Sequence, residues 1–102
     1  MKTTALALVI LAALAGCATV GHEFDATHAN DVKTGDHDKT QMTTWFGAPT
    51  AKAALKDHPQ GCVERWQWVH ATATAGSAAK SKALIVDFDS TGKVCDHAFS
   101  VQ

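Results

Sequence analysis

The sequence has no tyrosine, and aromatic residues make up 7% of it. Trp66 and Trp68 are left as the candidate aromatic platform for a partner. No basic stretch stands out: nine Lys and Arg stand against ten Asp and Glu, for a formal charge of −1. Phosphate backbones are held by clustered cations, so nucleic acid is not an expected partner. No apolar run reaches the about 20 residues that a membrane-spanning helix needs. No internal repeat is present. The six histidines, His22, His28, His37, His58, His70 and His97, form no tight ligand motif such as His-x-x-x-His. Solvated or turn histidines explain most of them, so no metal ligand is assigned. Cys95 and His97 are the nearest approach to a ligand pair, two apart on one strand.

What is present begins at the start of the chain. Met1-Lys2-Thr3-Thr4 is short and carries one positive charge. Residues 5–15 form an unbroken apolar run, and small residues end it. These are the three parts of a secretory signal peptide. The run has no polar face at helical period, which argues against a buried helix. Leu14-Ala15-Gly16-Cys17 resembles the lipobox of bacterial lipoproteins. The resemblance implies cleavage before Cys17 and lipidation of its sulfur. Residues 1–16 are then a removed signal peptide, and 17–23 are the lipidated cysteine and a tether. One acyl chain anchors marginally, at about 0.8 kcal/mol per buried CH₂. The diacylglycerol and usual third chain of such lipoproteins would suffice. Ala18 rather than Asp follows the cysteine. By resemblance to enterobacterial sorting, this favours the outer membrane of a Gram-negative bacterium, with the domain facing the periplasm.

Removing residues 1–16 from the 102 leaves 86, enough for one domain over 24–102. Loss of Lys2 takes the charge from −1 to −2. A domain this small buries about 60–65% of its unfolded surface and is marginally stable. If Cys17 carries lipid, Cys62 and Cys95 remain as a pair in an oxidising compartment.

Along the chain, Asp25 can cap a first short helix, with Phe24 packing on Ala29 and Gly35 beyond its end. Its residues Thr27, His28, Asn30 and Asp31 are weak helix formers, so this helix must depend on packing. Asp38 with Gln41 matches a capping box for a second helix. Met42, Trp45 and Phe46 give that helix one apolar face, and Gly47 with Pro49 ends it. Residues 50–61 read as a connection, with one helical turn over 51–56. Residues 62–72, 83–88 and 94–101 read as strands. Residues 73–81 form a hairpin loop, and Asp89-Ser90-Thr91-Gly92 a tight turn. The expected fold class is α+β: two short N-terminal helices packed on a three-stranded antiparallel meander, ααβββ in two layers. Trp66 and Trp68 then face the helices with Met42, Phe46, Leu84, Val86 and Phe88. Arg65, Gln67, Ile85 and Asp87 lie on the other face, free for a partner.

A Cys62–Cys95 bond would close a loop of about 34 residues, worth about 3–4 kcal/mol on the chain-entropy model. In a meander the first and third strands lie about 10 Å apart. A disulfide needs Cα atoms within about 7 Å. The bond therefore stays open, requiring Cys62 to curl in from the loop or a different strand order.

The ordered motifs resemble the SmpA/OmlA (BamE-like) family of small outer-membrane lipoproteins. They are Phe24-Asp25 with Ala29, Val32 and Gly35; Met42 and Gly47-Ala48-Pro49; Trp66-Gln67-Trp68; and Leu84-Ile85-Val86-Asp87-Phe88-Asp89 with Gly92-Lys93-Val94. The chain departs from the family at His37-Asp38, where a Thr-Thr pair is usual, and at Ala29, where a larger apolar residue is usual. The resemblance implies a non-enzymatic, lipid-anchored binding protein, an accessory factor in outer-membrane protein assembly or envelope maintenance. Its implied partners are the membrane, through the Cys17 lipid, and the β-barrel assembly machinery. It implies no cofactor beyond that lipid. Two other readings remain: a small lipoprotein that inhibits a periplasmic or secreted hydrolase, and a metal-binding envelope protein. A nucleophilic Cys62 or Cys95 with a His base would need a pocket and an orienting residue.

Overall fold

The structure, a computed structural model, describes residues 18–76 and 78–102. The signal peptide over 1–16 and the lipidation site Cys17 lie outside the described residues.

Alternating apolar residues build the centre of the sheet. Strands β3 (Glu64–Ala73), β4 (Lys80–Phe88) and β5 (Val94–Val101) pair antiparallel in sequence order. Trp66 lies opposite Val86 and Trp68 opposite Leu84, so the large side chains of β3 and β4 share one face. Two further strands were not expected. Strands β1 (Ala18–Gly21) and β2 (Ala51–Ala54) pair with the other edge of β3. β1 takes positions 70–73 and β2 takes positions 64–67.

The fold is therefore not two helices on a three-stranded meander. Among the described residues it is a five-stranded antiparallel sheet with one α-helix, α1 (Lys39–Phe46). The expected first helix is reduced to a 3₁₀ turn over Ala29–Asp31. The reason is local. Asp25 accepts hydrogen bonds from the Thr27 backbone N–H, at 2.9 Å, and from the Thr27 hydroxyl. These are bonds of the kind a helix N-cap makes, but the weak helix formers Thr27, His28, Asn30 and Asp31 follow, and His28, at the turn's N-terminus, supplies no side-chain cap. Phe24, Ala29 and Val32 are still buried against the core. The expected tether contains β1, and the expected turn over 51–56 is β2. Every residue of β2 is exposed. Its backbone bonds to β3, with no buried side chain, make it a strand.

The second helix follows its local signals. The Asp38 carboxylate accepts from the Gln41 N–H at 3.0 Å, capping α1. Gly47 ends it at φ 78°, and its N–H donates to the Thr43 carbonyl at 2.9 Å. Met42 and Phe46 enter the core, with Trp66, Trp68, Leu84, Val86, Phe88 and Val94. Trp45 stands at the margin instead. Its ring stacks on His28 at 4.6 Å and meets His37 edge-on at 4.8 Å. Trp66 and Trp68 are buried, so neither is offered as an open platform. The Lys52 ammonium covers the Trp66 ring at 4.5 Å.

Candidate functional site

The densest cluster of chemically capable side chains lies on the sheet face opposite α1. Register places Arg65 on β3 directly across from Asp87 on β4. Arg65 Nε donates to Asp87 Oδ1 at 2.8 Å, and Nη2 donates to Oδ2 at 3.0 Å. This fork matches the carboxylate at both oxygens. The Asp87 carboxylate raises the Arg65 guanidinium above its ordinary pKa range, chiefly through these hydrogen bonds. Alternation places Asp87 on the sheet face expected to be free for a partner. It is 2% exposed. The segment over 55–62 folds across it, bringing His58 Nε2 to 3.5 Å from Oδ2.

Cys62 in the same segment is bonded to Cys95. Their Cα atoms are 5.7 Å apart, although β3 and β5 flank β4. Two local departures close the gap. Cys62 lies ahead of the first residue of β3, in the connection. Cys95 lies where Phe88 pairs with Val94 and Asp87 with Asp96, so it is the extra residue of a β-bulge.

His58, Cys62 and Asp87 bring one potential ligand atom each within 4.8 Å of one another. The arrangement does not fit a metal ion. The Cys62 sulfur is used in the disulfide, and Arg65 holds both Asp87 oxygens. His58 Nδ1 accepts from the Gln60 N–H at 3.1 Å. The neutral ring then carries its proton on Nε2, the atom that would have to ligate. A nucleophilic role for Cys62 or Cys95 fails on the same bond, because neither offers a thiolate.

A second polar group lies at the opposite end of the strands, on the α1 face. Glu23 pairs with Lys82, and its carboxylate lies 3.3 Å from His70 Nδ1. The Lys82 ammonium also donates to the Phe24 carbonyl and sits 4.7 Å above the Phe24 ring. The hydrogen bond from Lys82 holds the exposed Glu23 carboxyl below its ordinary range. An open hollow of about 290 Å³ lies beside these groups, between Thr72, Lys80 and Val101. Sequence reading missed this group because Glu23 was placed in a tether. Its signal was the alternation that puts His70 and Lys82 on the face of Trp68 and Leu84.

Fold and clusters together define a small, mainly β domain closed by a disulfide. Comparison with protein-family models, curated proteins and solved structures found no match to this chain.

Proposed function

We propose that the chain is a lipid-anchored envelope protein, held in the outer membrane by Cys17 and facing the periplasm, that acts by binding another protein. The observation that carries this reading is Leu14-Ala15-Gly16-Cys17 behind an apolar leader. The remaining two cysteines, joined as Cys62–Cys95, suit a small domain in an oxidising compartment. Binding rather than catalysis is supported by how the reactive groups are used. Cys62 and Cys95 are bonded to each other, and the Asp87 carboxylate and the Arg65 guanidinium satisfy one another inside the fold.

The β-barrel assembly machinery is the proposed partner, through the SmpA/OmlA resemblance. That resemblance rests on motif residues and not on the two-helix, three-strand architecture, which the described residues do not form. The motif residues have structural parts here. Phe24 is in the core, Gly47 stops α1, and Asp89 organises the turn before β5. The test is affinity purification of the tagged protein from solubilised membranes. Barrel-assembly components should co-purify with the wild type and be lost in Cys17→Ala. Their absence from the wild-type eluate would contradict the assignment.

A further inference from the structure

Strand β1 determines what a lipid on Cys17 can do. Ala18, the next residue, pairs with Ala73 at the end of β3, and Thr19, Val20 and Gly21 pair with Thr72, Ala71 and His70. The His22 N–H then donates to the Val69 carbonyl at 3.2 Å. An extended residue spans about 3.3–3.6 Å. A lipidated Cys17 therefore adjoins the sheet with no slack chain between them. This close pairing needs Gly21. Its φ is +71°, and a Cβ there would sit 2.0 Å from the Val69 oxygen.

The sheet end that Ala18 reaches has an unusual surface. From Ala71 to Ala79 the sequence carries no charged residue. Ala73, Thr74, Ala75, Gly76, Ala78 and Ala79 are exposed. Val20 is 61% and Val101 66% exposed, the two most exposed large hydrophobic residues among those described. Val20, Ala71, Ala73 and Ala79 also line a shallow apolar hollow of about 140 Å³. Val20, opposite Ala71, and Val101, opposite Lys82, lie on opposite faces and edges of the sheet and so flank the tip from both sides. Exposed apolar surface concentrated at one end marks an interaction site.

We propose that this end of the sheet, the β3–β4 tip together with Val20 and Val101, rests in the interfacial layer of the bilayer that holds the Cys17 lipid. The proposal rests on the lipid-anchored reading above. The occupant is a lipid surface because the chain leading to the lipid joins the domain at that patch. β1 then acts as a rigid bracket. It fixes the orientation of the domain as well as its attachment. The ten residues of β3 separate the two ends by about 33 Å. The end with Cys62–Cys95, His58 and the turn before β5 points away from the bilayer, where a partner can reach it.

The test uses full-length protein purified from membranes, its acylation first read by intact mass, in phosphatidylcholine nanodiscs containing a nitroxide lipid. Paramagnetic broadening of backbone amides is measured along the chain. Val20, residues 73–76 and Val101 should broaden several-fold more than residues 58–62 and 89–93. Val20→Asp with Val101→Asp places two charges on the patch without touching the core. Acylated protein carrying this pair should lose the difference between the two ends. Gly21→Val should lose it too, by releasing β1. Acylated wild type that broadens equally at both ends, or more at 58–62, overturns the proposal. So does a Cys17→Ala protein that dimerises through the tip. Protein without acyl mass overturns the anchoring reading itself, and the proposal with it.

Discussion

Arg65 and Asp87 face each other across β3 and β4 and are joined by two hydrogen bonds, 2.8 and 3.0 Å long. Asp87 is 2% exposed, whereas the Arg65 side chain keeps 35% of its surface in water. Removing the guanidinium would leave a buried carboxylate without its cation. Such a loss costs about 3–5 kcal/mol, and the partial exposure of Arg65 puts this pair at the lower end. Arg65→Met should lower the unfolding free energy by about 3 kcal/mol in urea titration. Arg65→Met with Asp87→Leu should recover most of it, since neither charge then remains. Equal losses in the single and double variants would contradict the pairing.

The Cys62–Cys95 bond links positions 33 residues apart. On the chain-entropy model a loop of that size contributes about 3–4 kcal/mol. Cys62→Ala with Cys95→Ala should lower the unfolding free energy from urea titration by that amount. Unfolded, unreduced protein should take up no maleimide at these two positions, and two equivalents after reduction. Uptake before reduction would show the thiols free.

Gly47 joins two jobs in one residue. It ends α1 at φ 78° and ψ −163°, a conformation open essentially to glycine. Its carbonyl accepts the Trp68 indole N–H at 3.1 Å, tying the helix end to the centre of the core. Gly47→Ala should destabilise by about 1–3 kcal/mol, read as a lower thermal midpoint. An unchanged midpoint would mean that the helix stop is not a constraint.

Four carboxyls are held below their ordinary values: Glu23 by Lys82, Asp25 by Thr27, Glu64 by Lys39, and Asp89 by the Thr91 hydroxyl and then the Lys93 N–H. A depressed folded-state pKa contributes stability that is present above the unfolded value. It is lost as pH falls through the folded value. The ordinary values are 4.5 for Glu and 3.8 for Asp. Stability should therefore decline as pH drops below about 4.5 and continue to fall beneath 3.8. Asp89→Asn removes one of these groups and should flatten the acid limb of the urea-midpoint profile. An acid limb as steep as the wild type would remove Asp89 from the account.

Local signals carried the parts of the fold that the sequence made readable. The Asp38 cap and the Gly47 stop act within a few residues, and both lie where their residue types place them. Trp66 and Trp68 alternate with polar neighbours, and their face is the core face. β1 and β2 were not readable because Ala18-Thr19-Val20-Gly21 is only four residues long and ends in Gly, and Ala51-Lys52-Ala53-Ala54 has no β-branched or aromatic residue. Their identity comes from the edge of β3, fifty or thirteen residues away in sequence. The first helix shrinks to a 3₁₀ turn because Thr27, His28, Asn30 and Asp31 are weak helix formers and His28 caps nothing. The Arg65–Asp87 face was legible by alternation, but its cover was not. That cover depends on the path of residues 55–62 and on the bulge at Cys95, both non-local. The lipobox stands on sequence alone.

The most direct test of the account is the intact mass of the protein recovered from the membrane fraction. The account predicts a chain that begins at Cys17, lacks residues 1–16, and carries a diacylglycerol and a further acyl chain on that residue. A chain that keeps residues 1–16, or a soluble one with an unmodified Cys17 thiol, would contradict it.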